Sequence, residues 1–145
     1  MVYRFAAMLA LPFFLACGPT WMFPGGSLDG SSATPPEDWA WTDGVSTIQL
    51  ETRPEDPYSV NIWAVGIDQK LYVHAGANRS TWIENMEADS SVRVLINEDI
   101  YEMEAFRVED QVEFDEFAIS YEEKYGSRPR NENVGDVYLF YLKAR

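Results

Sequence analysis

The chain has one cysteine and one histidine in 145 residues. A single cysteine cannot close an intramolecular disulfide, and one histidine beside it argues against a zinc site. Bases are scarce: 11 Lys and Arg stand against 24 Asp and Glu, for a formal charge of −13. So acidic a surface disfavours nucleic acid and anionic lipid head groups as partners. The apolar run from Phe5 to Ala16 is interrupted by Pro12. It falls short of the roughly 20 residues a bilayer-spanning helix needs. No Ser–His–Asp order, phosphate loop or metalloprotease motif is present. The acidic runs Glu98–Glu104 and Glu109–Glu116 lack EF-hand spacing and read as solvated faces. No internal repeat is visible.

The amino terminus is informative. Met1-Val2-Tyr3-Arg4 supplies one positive charge, the apolar run follows, and Ala16 is a small residue before Cys17-Gly18. That order is the pattern of a secretory signal peptide. Phe14-Leu15-Ala16-Cys17 resembles the lipobox of bacterial lipoproteins, in which the cysteine is acylated and the peptide before it removed. The resemblance implies a signal peptide over 1–16, lipidation of Cys17 and a membrane-tethered, extracytoplasmic protein. Gly18 after the cysteine resembles the Gram-negative pattern for the outer membrane. The other reading is an ordinary signal peptide with an incidental cysteine.

Residues 17–38 are rich in Gly, Ser and Pro, and composition makes them a flexible tether. Trp21, Met22 and Phe23 are unusual there. They either rest at a membrane interface, where aromatic rings are favoured, or dock on the folded domain. Trp39 and Trp41 begin that domain, which runs over 39–145. Its size and the 46% hydrophobic content of the chain suffice for one packed core.

Periodicity predicts six strands: Val45–Thr52, Tyr58–Gly66, Lys70–Ala75, Val92–Ile96, Ile100–Val108 and Asp136–Lys143. In the second, Val60, Ile62 and Ala64 share one face and Asn61, Trp63 and Val65 the other. A short helix follows the third strand, capped by Ser80 or Thr81, with Trp82, Ile83 and Met86 as its apolar side. A second follows the fifth, capped by Asp110 and closed by Gly126, with Val112, Phe114, Phe117, Ile119 and Tyr121 as its apolar side. The last strand is apolar on both faces and belongs in the middle of the sheet.

Scattered positions over most of 45–145 resemble the split β-barrel proteins related to pyridoxamine-phosphate oxidase and the deazaflavin-dependent reductases. They are Asn61–Val65, Lys70–Gly76, Trp82, Asn85, Met86, Val92-Arg93-Val94, Tyr101-Glu102, Ala105, Val108, Tyr121, Lys124-Tyr125-Gly126 and Val137–Phe140. The resemblance implies a mainly β (α+β) six-stranded split barrel with two short helices that pairs into a homodimer. It also implies FMN or a related flavin at the groove. His74, Asn78, Arg79 and Ser80 match the positions that meet the cofactor phosphate, at a helix start where an anion is favoured. Trp82 and Trp63 could flank its ring system. The segment between the first two strands departs from the family. Arg53-Pro54-Glu55-Asp56-Pro57 places two acids where relatives carry bases, and these oppose a phosphate. Each residue also has a plainer reading: a structural His74, a solvated Arg79 and a core Trp82. Two functions follow. One is a flavin- or deazaflavin-dependent oxidoreductase on a membrane anchor. The other is a barrel without cofactor that serves as an envelope binding or interaction module.

Overall fold

A computed structural model describes residues 25–145. Cys17, the leader before it and Trp21–Phe23 lie outside the described residues. Eight strands and two helices follow in order: β1 (Ser31–Ala33), β2 (Ile48–Thr52), β3 (Tyr58–Ile62), β4 (Ala64–Ile67), β5 (Lys70–Ala75), α1 (Thr81–Ala88), β6 (Ser91–Ile96), β7 (Asp99–Arg107), α2 (Gln111–Tyr125) and β8 (Tyr138–Ala144). Short 3₁₀ turns occupy Ala40–Gly44 and Val134–Asp136.

The pairing path runs β3-β2-β6-β7-β8-β5-β4, antiparallel throughout. β8 sits between β7 and β5, as its two apolar faces predict. β3 and β4 are consecutive in the chain yet lie at opposite ends of this path. The strand predicted over Tyr58–Gly66 is therefore two strands. It breaks at Trp63, with β3 paired to β2 and β4 paired to β5. One residue carries the chain from one end of the sheet to the other, which is how the barrel closes on itself.

The break exposes backbone groups that the ladder no longer serves, and buried groups of this kind must find partners. The C-terminal turn of α2 supplies them. The Tyr125 hydroxyl accepts from the Ala64 N–H (3.1 Å) and has the carbonyls of Ala64 (2.9 Å) and Ser46 (3.1 Å) in reach. The Lys124 ammonium donates to the carbonyls of Ala64 (2.7 Å) and Thr42 (2.6 Å).

Two apolar clusters flank the sheet. Leu50, Leu71, Val73, Val94, Met103 and Leu142 fill the barrel interior, closed by Trp82, Ile83 and Met86 of α1. Asn85, the buried polar residue of α1, donates to Thr52 Oγ1 at 2.9 Å and ties the helix to β2. The second cluster joins α2 to the outer face of β4, β5 and β8 through Phe114, Phe117, Ala118, Val65, Tyr72 and Leu139. Asp110 caps α2 by accepting from the N–H groups of Val112 and Glu113, and Gly126 ends it at φ 77°. The buried side of α2 is Phe114, Phe117 and Ala118, with Tyr121 and Tyr125 packed beside them. Val112 and Ile119 were expected on that side but point away, at 68% and 51% exposure. At 100° per residue they fall opposite Phe114, Phe117 and Tyr121, so their apolar character misled the reading.

The other extra strand lies in the tract expected to be a tether. β1 pairs in parallel with β7 over Asp99–Tyr101, where β7 is not paired with β8. Leu28 is buried and its N–H donates to Glu51 Oε2 (2.7 Å). Glu51 is 2% exposed and takes two bonds of 2.7 Å from Arg93, which also donates to Ser27 Oγ. Gly25 and Ser59 exchange two backbone bonds (2.8 and 3.0 Å). From Gly25 onward the chain is therefore strapped to the barrel. Composition read as flexibility because Gly, Ser and Pro also serve a close crossing: a Cβ on Gly30 would stand 2.7 Å from the Glu98 carbonyl oxygen.

Candidate functional site

Where the chain breaks between β3 and β4, the end of α2 and the outer face of β5 leave a cleft of about 370 Å³. Its walls are Thr47, Asn61, Ile62, Trp63, Ala64, Val65, Tyr72, His74, Phe117 and Tyr121. The strand alternation that sends Leu71 and Val73 inward turns Tyr72 and His74 outward beneath α2. Trp63 stands at the mouth. Tyr125 stacks on its ring at 4.5 Å and 10°, and Tyr121 lies 6.1 Å away. The indole is braced from the α2 side and still 46% exposed. A braced, half-open indole is a ready surface for another ring.

His74 sits among Phe114, Phe117 and Tyr121, with ring centroids 5.6 to 6.4 Å away. Its Nε2 is buried without a hydrogen-bond partner. Burial lowers its pKa from 6.5 to about 4, so the ring is neutral at ordinary pH. The Tyr72 phenol is raised well above its ordinary value, first by burial and then by its bond to Glu113. That hydroxyl donates to Glu113 Oε1 at 2.7 Å, and Lys70 donates to the same oxygen at 2.7 Å, pinning α2 to β5. Burial also raises Tyr121.

The residues predicted for a cofactor separate into three places. Trp63 and His74 share the cleft. Asn78, Arg79 and Ser80 lie at the start of α1 and are not among the cleft walls. Asn78 and Arg79 are exposed. Arg79 is paired with Glu87 and, at 3.8 Å, with Glu84, both on α1. Ser80 occupies the N-cap position but its hydroxyl makes no capping bond, and its Oγ is buried without a partner. Trp82 is buried and meets Phe140 edge-on at 6.5 Å. It is a core residue, because the apolar side of a short helix over a barrel end must face inward.

A flavin nucleotide needs a surface for its ring and a cation or free N–H groups for its phosphate. The cleft offers the surface. It holds no charged base, since its one titratable nitrogen base is the neutral His74. Within this chain the cleft supplies a surface for the ring and no cation for the phosphate. Among the described residues no group of three or more His, Cys, Asp or Glu side chains could hold a metal ion.

Sequence reasoning missed Thr47, Asn61, Tyr72, Phe117 and Tyr121 as cleft walls. The available signal was the spacing of Phe117, Tyr121 and Tyr125 along one helix face, which read only as core.

No protein-family model matches the chain. No curated protein matches it either. Solved structures do. The conserved hypothetical protein Rv2991 of Mycobacterium tuberculosis superposes with a TM-score of 0.59 at 20% identity, over 72% of this chain and 76% of that one. Campylobacter jejuni ChuZ gives 0.58 at 14% identity over 72% of this chain, which spans only 50% of that protein. A provisionally named pyridoxamine 5'-phosphate oxidase of Listeria innocua gives 0.55 at 14%, over 69% and 84%. The likeness is one of architecture: the chain has the split β-barrel fold of these proteins, built here from eight strands and two helices.

Proposed function

We propose that this chain is a lipid-anchored, extracytoplasmic split-barrel domain that binds a planar aromatic ligand in the Trp63–His74 cleft, by its ring and not through a phosphate. The observation that carries this reading is the cleft itself. It is walled by Trp63, Tyr72, His74, Phe117 and Tyr121 and has no charged base. The one arginine at the start of α1 is engaged by Glu84 and Glu87. A flavin belongs to this ligand class through its ring system. Trp63 supplies the stacking surface, and the aromatic walls exclude water. On this reading Trp63→Ala weakens binding about fivefold, since an aromatic pair contributes about 1 kcal/mol beyond area burial.

A second reading, a flavin-dependent oxidoreductase, is favoured by the likeness to the Listeria protein and its name. There the flavin supplies the electron transfer and the chain supplies orientation and exclusion of water. A barrel without cofactor that acts as an envelope interaction module stands as the outcome if no flavin binds. Pairing of two copies is proposed with either reading, and light scattering of the purified chain tests it.

The anchor rests on Ala16-Cys17 after the apolar run. Labelled palmitate should enter the wild-type protein in a bacterial host and not Cys17→Ser. Equal labelling of the two, or none in either, contradicts the anchor.

A further inference from the structure

The two ring nitrogens of His74 stand in different surroundings. Nε2 is buried without a hydrogen-bond partner. Nδ1 is bonded to no described residue either and, unlike Nε2, is not sealed inside the protein. The residue is a wall of the cleft. Burial keeps the imidazole neutral, so one nitrogen carries the hydrogen and the other a lone pair.

The aromatic side chains of α2 decide which is which. Phe114 and Tyr121 meet the imidazole edge to face, at 63° and 71°, and Phe117 lies tilted 5.6 Å away. An aromatic face is the negative part of a ring and its edge the positive part. An N–H set among such faces gains a weak N–H···π contact, whereas a lone pair there is repelled. Nε2 is therefore the protonated nitrogen. Nδ1 holds the lone pair and is an acceptor without a donor among the described residues. The other polar groups of the wall do not share this one-sidedness. Thr47 and Asn61 can each donate or accept, and the Tyr72 hydroxyl is taken by Glu113. A bound ring with no donor would cover Nδ1 and leave both nitrogens of His74 unpaired, at the cost of desolvating the second. A ring with a donor at its rim restores the bond.

We propose that Nδ1 of His74 accepts a hydrogen bond from the ligand of the cleft, and so selects planar aromatic compounds that carry an N–H or O–H on the ring over those that carry none. The inference rests on the ring-binding reading above and narrows its ligand class to phenols, lactams, imides and N–H heterocycles. Trp63 gives affinity for any flat ring, and His74 discriminates among them.

The test compares lumiflavin, whose ring system carries a single N–H donor and neither sugar nor phosphate, with the derivative methylated on that nitrogen. Flavin fluorescence follows binding to the full chain. Lumiflavin should bind wild type about fivefold tighter than the methylated compound, the discrimination that one net hydrogen bond gives. His74→Phe keeps a flat ring and removes the acceptor, and should bind the two about equally. A preference that persists in His74→Phe is steric and overturns the proposal. Nitrogen NMR of wild type gives a readout that does not depend on the variant's folding. Nδ1 should carry no proton in the free chain, and its resonance should move with lumiflavin and not with the methylated compound. A proton on Nδ1 in the free chain overturns the proposal. Binding of both compounds to wild type without preference removes this inference and leaves the ring-binding reading standing. Binding of neither removes that reading, and this inference with it.

Discussion

His74 makes its titration a stability question. Its pKa is about 4 in the folded chain against 6.5 when unfolded. Between those values the unfolded chain binds the extra proton, so stability is fully present above pH 6.5 and declines as pH falls toward 4. The linkage amounts to about 2 kcal/mol between pH 7 and pH 4.5. Carboxylates titrate near the lower end, so the difference between wild type and His74→Gln isolates the effect. Urea unfolding at the two pH values should show wild type losing about 2 kcal/mol more than the variant. Equal losses would mean that His74 is hydrated in the folded state. The position of His74 beside Tyr72 on one strand face is legible from alternation. Its neutrality is not, because it depends on Phe114 and Phe117 from a helix some forty residues on.

Among the elements, the junction of β3 and β4 decides the barrel. It depends on the last turn of α2, where Tyr125 and Lys124 serve the backbone of Ala64. Tyr125→Phe keeps the ring stacked on Trp63 and removes the hydroxyl. It should cost about 1 to 3 kcal/mol by leaving the Ala64 N–H without its partner. Chemical denaturation measures it, and an unchanged midpoint would assign the closure elsewhere. The strap offers a second check. Arg93→Met leaves the buried Glu51 carboxylate without its ion pair and should destabilise by about 3 kcal/mol. Limited proteolysis should then cut between Gly25 and Ala33, a segment expected to resist cleavage in wild type. The sequence carries the elements better than their partners. Alternation finds β5, β6 and β7 to within a residue, and Asp110 and Gly126 mark both ends of α2. The break at Trp63 is invisible because Tyr58–Gly66 alternates cleanly through it. A change of neighbouring strand leaves no mark on local periodicity. β1 is hidden for a related reason: three small residues, Ser31-Ser32-Ala33, pair only because β7 extends beyond β8.

At the scale of the molecule, a split barrel leaves its cleft where the sheet changes direction, and the C-terminal end of α2 walls it. The candidate site was half legible. Trp63 and His74 come from strands whose outward face can be read, while Phe117 and Tyr121 come from a helix whose aromatic face reads as core. The arginine expected to hold a phosphate is legible as a base at a helix start. Its capture by Glu84 and Glu87 is not legible, because Arg79 stands outside the helix, five and eight residues from those acids. The proposed function therefore turns on whether the cleft takes a ring without help from a phosphate. Parallel titrations of the full chain with riboflavin and with FMN, followed by flavin fluorescence, test it most directly. Saturable riboflavin binding at micromolar concentrations, with FMN no tighter and both weakened in Trp63→Ala, is the expected result. FMN binding tenfold or more tighter than riboflavin, or no binding of either, would contradict it.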